Sequence, residues 1–106
     1  MTNKNDFKDF VLDQLDAVHD IRAKAMFGGF GLYQDKNFFG IIAGEKLYFK
    51  VNENNRFDYG ERDMEPFSPS KGKVMKNYYQ VPEEILENKD DLVLWAWKSL
   101  SGAEEN

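Results

Sequence analysis

The side chains that could carry chemistry are few, and their spacing does not match the pattern of a known reaction. Two adjacent carboxylate pairs, Glu83-Glu84 and Asp90-Asp91, lie where helices are predicted to begin, and acidic residues suit the positive end of the helix dipole. His19 is the only histidine, and no second metal ligand lies near it in the sequence. Ser68 and Ser70 lie in a proline-containing loop without a base to activate either hydroxyl. These residues predict no catalytic site and no metal site.

Three glycines, Gly28, Gly29 and Gly31, lie within the apolar stretch 26–33. A phosphate-binding loop needs glycines that follow a strand and open a helix, so that free amides and the helix dipole face the anion. Here the glycines lead into another predicted strand, and they match neither G-x-G-x-x-G nor G-K-[ST]. We therefore expect structural glycines in a bulged or tightly bent strand, and no bound cofactor.

Basic and aromatic side chains are interleaved along the predicted strands. On one face of a sheet, such residues can bind single-stranded nucleic acid through charge and stacking, whereas lysines on strands also discourage aggregation at a sheet edge. The net charge of −5 and the pI of about 4.8 argue against a broad basic surface but allow a local patch. Both interpretations stay open for this set, which comprises Arg22, Lys24, Lys46, Lys50, Lys71, Lys73, Lys76, Tyr48, Tyr78 and Tyr79.

The composition predicts one soluble domain. A chain of 106 residues that is 42% hydrophobic and 15% aromatic can bury a core without a metal or a disulfide. The absence of cysteine excludes disulfides, thiol catalysis and iron–sulfur clusters. The chain has neither an apolar run long enough to span a membrane nor a signal-peptide core, so we expect a cytoplasmic protein without a membrane partner.

Apolar periodicity predicts helices at both ends of the chain. Residues 5–21 carry apolar positions at three- and four-residue steps, which is typical of an amphipathic helix. Asn88 followed by Asp91 resembles a capping pair for a final helix whose broad apolar face is either deeply buried or meets another subunit. Between them, Asn52 can cap a short helix that Phe57 anchors and Gly60 ends.

Apolar runs predict five strands: residues 38–43 are apolar on both sides, as in a covered central strand, residues 46–51 alternate, and the last two strands are short. Residues 26–33, 38–43 and 46–51 form an antiparallel meander, with hairpin turns at 34–37 and at Gly44-Glu45. Lys71-Gly72 is read as the tip of a second hairpin that leads into residues 74–81. A turn of helix is expected after Pro82.

Several strings of residues resemble the N-terminal domain of the TfoX/Sxy family of bacterial competence regulators. In chain order, the strings that resemble this domain are residues Arg22 to Tyr33, then Phe38-Phe39, and then residues 47–51. Residues 64–67 and 78–83 fit the same pattern in the same order. Together these strings cover most of residues 20–100.

The resemblance implies an α+β fold: a two-layer α/β sandwich with a mostly antiparallel five-stranded sheet, like that of the secretion chaperones. Its implied order, α-β-β-β-α-β-β-α, agrees with the elements predicted from periodicity. We expect one domain over 1–106, without the C-terminal helical domain of full regulators. The resemblance also implies Asp-Gly in the turn after Tyr33, whereas this chain has Asp35-Lys36-Asn37 there, so we expect the left-handed residue to shift to Asn37.

The resemblance also implies regulation of DNA-uptake genes through contact with the transcription machinery, and it supplies no catalytic residues. Our leading hypothesis is a non-enzymatic domain, alone or as a homodimer, whose sheet face or final helix binds a protein partner through Phe30, Tyr33, Tyr48 and Trp97. The alternative is binding of single-stranded DNA or RNA through the lysine and tyrosine face.

Overall fold

The computed structural model describes residues 4–26 and 28–101, and its strands form one antiparallel sheet in the spatial order β1-β2-β3-β4-β6-β5. The predicted α+β class with an antiparallel sheet is confirmed. Phe27, within the glycine stretch, lies outside the described residues, as do residues 1–3 and 102–106. The elements are α1 (Lys4–Gln14), β1 (Ile21–Met26), β2 (Gly29–Gln34), β3 (Asn37–Ala43), β4 (Lys46–Lys50), α2 (Arg56–Gly60), β5 (Pro66–Phe67), β6 (Met75–Gln80), α3 (Glu83–Leu86) and α4 (Lys89–Ser101).

The described residues contain six strands rather than the predicted five, because the first helix is shorter than its apolar pattern suggested. Helix α1 ends at Gln14, and Asp20 adopts a positive φ of 60° that ends any helical path before Ile21. From Ile21 the chain is extended and pairs antiparallel with β2. Val18 is nevertheless buried, because the turn after α1 keeps it in the core.

The main core lies between one face of the sheet and the helices α1 and α4. Leu92 and Ala96 of α4 are fully buried against sheet residues such as Leu32 and Phe49. Trp95 is also buried. The broad apolar face of the final helix is therefore mostly core, as one of our two alternatives stated, although Leu94 and Trp97 remain 59% and 42% exposed.

The short helix α2 is anchored by Tyr59, and the prediction that Phe57 anchors it is wrong. The Phe57 side chain is 75% exposed, whereas that of Tyr59 is 1% exposed and packs edge-on against Trp95 at a ring distance of 4.8 Å. Asn55, which is buried, precedes the helix, and residues four apart share a helix side. Burial of Asn55 thus directs Tyr59 inward and Phe57 outward.

The turns match their expected positions, with one difference. Gly44 and Glu45 both have positive φ, which is typical of a tight hairpin loop. Asn88 Oδ1 accepts a hydrogen bond from the Asp91 amide at 3.0 Å, which confirms the predicted cap. In the turn between β2 and β3, however, the left-handed residue is Asp35, with φ of 54°, and not Asn37, because β3 already begins at Asn37. Within the described residues, no helix has both the length and the apolar character needed to cross a membrane.

Candidate interaction surface

One face of the sheet packs against the helices, and the opposite face, here called the open face, is formed by strand residues alone. A second cluster of buried side chains lies on it around Ile41, Phe67 and Tyr78, and its described members all belong to strands. Side chains alternate between the two faces of each strand. By this alternation and the observed pairing, the open face carries Arg22, Lys24, Gly31, Tyr33, Phe38, Ile41, Ala43, Lys46, Tyr48, Lys50, Phe67, Tyr78 and Gln80.

Aromatic rings run across the middle of the open face. Phe38 lies between Tyr33 and Tyr78, with ring centroids 5.1 Å and 5.3 Å away. Tyr48 packs against Phe67 at 4.8 Å. Tyr33, Phe38 and Tyr48 are half-buried, so each presents part of its ring to solvent. The result is an apolar, aromatic surface on a rigid sheet.

The glycines of the sequence stretch allow close packing around β2. A Cβ added at Gly29 would lie 2.0 Å from the Ile42 carbonyl oxygen. A Cβ at Gly31 would lie 2.8 Å from the Met26 side chain and 2.9 Å from that of Phe38, because both side chains fold over this position. Gly28 has a positive φ of 76° in the turn between β1 and β2. The irregularity opposite Leu32 and Tyr33 lies in β3, where the pairing skips one residue.

Four cations border this aromatic surface, and within the described residues none of them has a carboxylate within ion-pair distance: Arg22, Lys24, Lys46 and Lys50. Arg22 instead donates to the Asp35 carbonyl oxygen at 2.8 Å. The ion pairs of the described residues all involve helices or the loops beside them, and they are Lys8–Asp9, Arg62–Glu61, Arg62–Glu84, Lys89–Asp16 and Lys98–Asp58. With the four cations and only the carboxylate of Glu65 acting on Tyr48 from beside this face among the described residues, a chain with a net charge of −5 carries a locally basic face.

Burial affects the tyrosine hydroxyls of the open face. It raises the pKa of Tyr78 to about 12, with a smaller contribution from the neighbouring Tyr33. Burial, followed by the negative charge of Glu65, also raises the pKa of Tyr48. Both hydroxyls therefore stay protonated at neutral pH and can donate hydrogen bonds.

The four residues predicted as contacts do not form one surface. Tyr33 and Tyr48 both lie on the open face, on strands β2 and β4. Phe30 is 8% exposed and packs in the core on the helix side of β2, and Trp97 lies on the outer side of α4. Tyr79, from the lysine and tyrosine set, also packs against the helix-side core.

Phe38 and Phe67 belong to the open face, although neither was predicted as a contact, and Tyr78, which also lies there, was named only in the lysine and tyrosine set. The signal that could have identified them is alternation: each shares a sheet face with Tyr33 or Tyr48 once the strands are placed in register. That register depends on the skipped residue in β3 and on the irregular pairing of β5 with β6, neither of which the pattern of apolar residues reveals.

The remaining candidates for chemistry are scattered. His19 is exposed in the turn after α1, and the acidic pairs 83–84 and 90–91 begin α3 and α4 as predicted. Ser68 hydrogen-bonds to backbone carbonyls of its own loop, including that of Ser70 at 2.9 Å. In the described part of the chain, no three histidine, cysteine or acidic residues are grouped as metal ligands would be.

The fold and the open face define a small α+β domain with an antiparallel sheet, which the described helices cover on one side. Residues 13–103 match the family model of the TfoX N-terminal domain. The chain belongs to this family, which is a family of competence-related regulatory domains. No curated protein shows significant similarity to the chain.

Proposed function

We propose that the protein is a non-catalytic regulatory domain that binds an acidic surface of a protein partner through its open face, and that this binding serves the control of DNA-uptake genes. The observation that carries the proposal is the aromatic surface of the open face, bordered by four cations without ion-pair partners among the described residues. Family membership supports the regulatory context.

The aromatic residues suit a protein contact. Tyrosine and arginine are enriched at the centres of protein interfaces, where a rigid ring adds contact area at little cost in conformational entropy. Tyr33 and Tyr48 are half-buried and packed against neighbouring rings, so they are already held in place before a partner arrives. A pre-organised surface of this kind loses little freedom on binding.

Charge indicates an acidic partner rather than a second copy docked face to face. Two open faces in contact would bring Lys46 and Lys50 of one copy against the cations of the other, and like charges facing each other are destabilising. An acidic surface would instead neutralise them. We therefore favour a heterologous partner over a symmetric dimer through this face.

A second candidate function is binding of single-stranded nucleic acid by the same face. Partly exposed tyrosine rings between lysines are the arrangement that stacks bases and follows a phosphate backbone. The observation in its favour is the position of Tyr48 between Lys46 and Lys50 on one strand face. The acidic total charge weighs against it.

Matched charge reversals test the open face. The double variant Lys46→Glu, Lys50→Glu and the control Lys71→Glu, Lys73→Glu change the net charge equally, but the control lies in the loop between β5 and β6. Immobilised wild-type chain and both variants are incubated with nuclease-treated cytosol at low salt. We expect a protein partner that the wild type and the control retain and the open-face variant loses. Equal retention by all three would contradict the proposal.

Nucleic acid is tested directly with a labelled oligothymidine. Fluorescence anisotropy at rising salt should show no binding by the wild type if the partner is a protein. Binding that falls steeply with salt and disappears in the open-face variant would establish the second candidate instead. Competence of the source organism, measured with each variant as the sole copy, then tests the regulatory role: we expect the open-face variant alone to reduce DNA uptake.

A further inference from the structure

We propose that the free edge of β1 accepts an extended acidic segment of a protein partner as a seventh strand of the sheet. This proposal rests on the proposed function, because it too requires an acidic protein partner. It differs in the site, which is the backbone at the edge of the sheet rather than the open face.

The two edges of the sheet differ. Strand β1 lies at one edge and has six residues, whereas the opposite edge is β5, which has two residues and begins with Pro66. Proline and short length protect an edge against further pairing. Arg22 and Lys24 discourage pairing of β1 with a like-charged strand, but its length and lack of proline leave it a template for an added strand of opposite charge. Recognition domains use such edges to bind extended peptides. Only the β1 edge offers this length.

The pairing of β1 with β2 shows which backbone groups remain outside. The Asp35 amide donates to the Asp20 carbonyl oxygen at 3.2 Å, and in an antiparallel pair such hydrogen-bonded positions recur at every second residue. The backbone N–H and C=O groups of Arg22 and Lys24 therefore form hydrogen bonds with β2. Those of Ile21, Ala23 and Ala25 point away from the sheet. Across the described residues, these outward groups have no other backbone hydrogen bond.

The side chains beside this edge select an acidic segment. Arg22 and Lys24 are exposed, lie two residues apart, and share the open side of the sheet. Together with Ala23 and Tyr33 they line a depression of about 330 Å³. On an added strand, the two residues opposite Arg22 and Lys24 would be separated by one residue, and their side chains would lie on the open side of the sheet. Opposite charges directly across a pair of strands attract each other. The matching ligand therefore carries carboxylates at alternate positions.

A second copy of the chain fits the edge less well. In a two-fold antiparallel pairing centred on Ala23, Arg22 would lie opposite Lys24 of the other copy. Like charges directly opposite each other destabilise a pair of strands. An acidic heterologous strand avoids this repulsion, so we commit to it as the occupant.

Three short labelled peptides with blocked ends test the proposal. In the first, glutamate alternates with threonine; in the second, glutamine replaces glutamate; in the third, the threonine amides of the first peptide are N-methylated. When glutamates face Arg22 and Lys24, the threonine amides face Ala23 and its outward neighbours. We expect the first peptide to bind, the glutamine peptide to bind about tenfold more weakly, and the N-methylated peptide not to bind, although it keeps every carboxylate.

Two variants at one position extend the test. Ala25→Pro removes an outward N–H and places a ring on the edge, whereas Ala25→Ser keeps the N–H. Because Ala25 is exposed and its N–H points away from β2, Ala25→Pro keeps every hydrogen bond to β2. We expect Ala25→Pro to abolish binding of the first peptide and Ala25→Ser to preserve it, with the folded state of both checked by thermal unfolding.

The outcomes separate this proposal from the previous one. Equal binding of the N-methylated and unmodified peptides would overturn edge pairing while leaving the open face as the site. Dimerisation of the chain that Ala25→Pro abolishes and the acidic peptide does not displace would also overturn it, in favour of a second copy. If the first peptide binds but Lys46→Glu, Lys50→Glu retains every captured partner, the edge is supported and the open-face proposal fails.

Discussion

The Asn55 side-chain amide donates to the Ser99 hydroxyl oxygen at 3.2 Å, and neither residue is more than 1% exposed. Both groups also donate to the Lys50 carbonyl oxygen, from Asn55 at 3.0 Å and from Ser99 at 2.8 Å. The Asn52 backbone N–H in turn donates to Asn55 Oδ1 at 2.7 Å. This buried pair therefore joins the end of β4, the start of α2 and the last turn of α4 at one point.

Replacing Asn55 should destabilise the fold markedly. Asn55→Ala leaves the Lys50 carbonyl and the Asn52 amide with fewer partners in a buried position, so we expect the free energy of unfolding to fall by about 2 kcal/mol. The control is Asn54→Ala, an exposed residue in the same loop that hydrogen-bonds Ser101, which should change stability by less than about 0.5 kcal/mol. Denaturant unfolding measures the free energy of unfolding of both variants. Equal decreases would show that the buried Asn55–Ser99 pair contributes no more to stability than the exposed Asn54 does.

Glycine is required at position 29 by space rather than by backbone angle. Because a Cβ there would lie 2.0 Å from a backbone oxygen, Gly29→Ala must separate β2 from β3, and we expect a loss of about 3 kcal/mol. A Cβ at Gly60 would meet nothing within 4 Å, and Gly60 has no positive φ. Gly60→Ala should therefore be neutral or stabilise by about 0.5 kcal/mol. Thermal unfolding of both variants checks the contrast, which similar melting temperatures would refute.

Replacing the two aromatic residues of α2 should change the stability of the fold by very different amounts. Tyr59→Ala removes a fully buried ring that packs against Trp95, and we expect it to cost about 3–5 kcal/mol. Phe57→Ser changes a ring that is 75% exposed, and its effect should stay within about 0.5 kcal/mol. A large loss from Phe57→Ser would mean that this ring has a packing partner in the folded chain.

Tyr78 should make the free energy of unfolding depend on pH in the alkaline range. Its pKa in the folded chain, about 12, exceeds the ordinary value of 10.0, because burial disfavours the charged phenolate. The stability linked to this preference is complete below pH 10 and is lost as the pH rises from there to about 12. Tyr78→Phe should therefore reduce the slope of unfolding free energy against pH in this range.

The control for this titration is Tyr33→Phe, which removes only the smaller cause of the shift. Spectrophotometric titration of tyrosinate should then still show a late-ionising group, whereas Tyr78→Phe should remove one. A titration curve that Tyr78→Phe leaves unchanged would contradict the assignment.

Local sequence patterns predicted the helix α4 and its cap, the positions of the turns after β2 and after β3, and the mixture of helices and antiparallel strands. These features depend on interactions within a few residues, such as the Asn88 side chain with the Asp91 amide, or on a strong apolar period. Membership of the TfoX N-terminal domain family was likewise predicted from short strings of residues and is confirmed.

Tertiary structure decided which face of the sheet remains open. An alternating strand indicates two faces but not the one that the helices cover, so Phe30 and Tyr33, three residues apart, could not be told apart as core and surface. The end of the first helix was decided in the same way: the apolar period extended it to Ile21, whereas residues 15–20 form turns after α1 and pairing with β2 makes Ile21 the first residue of β1. The amino-acid sequence alone determines the local elements, whereas long-range pairing and packing, which depend on residues far apart in the chain, place the basic and aromatic side chains on one surface.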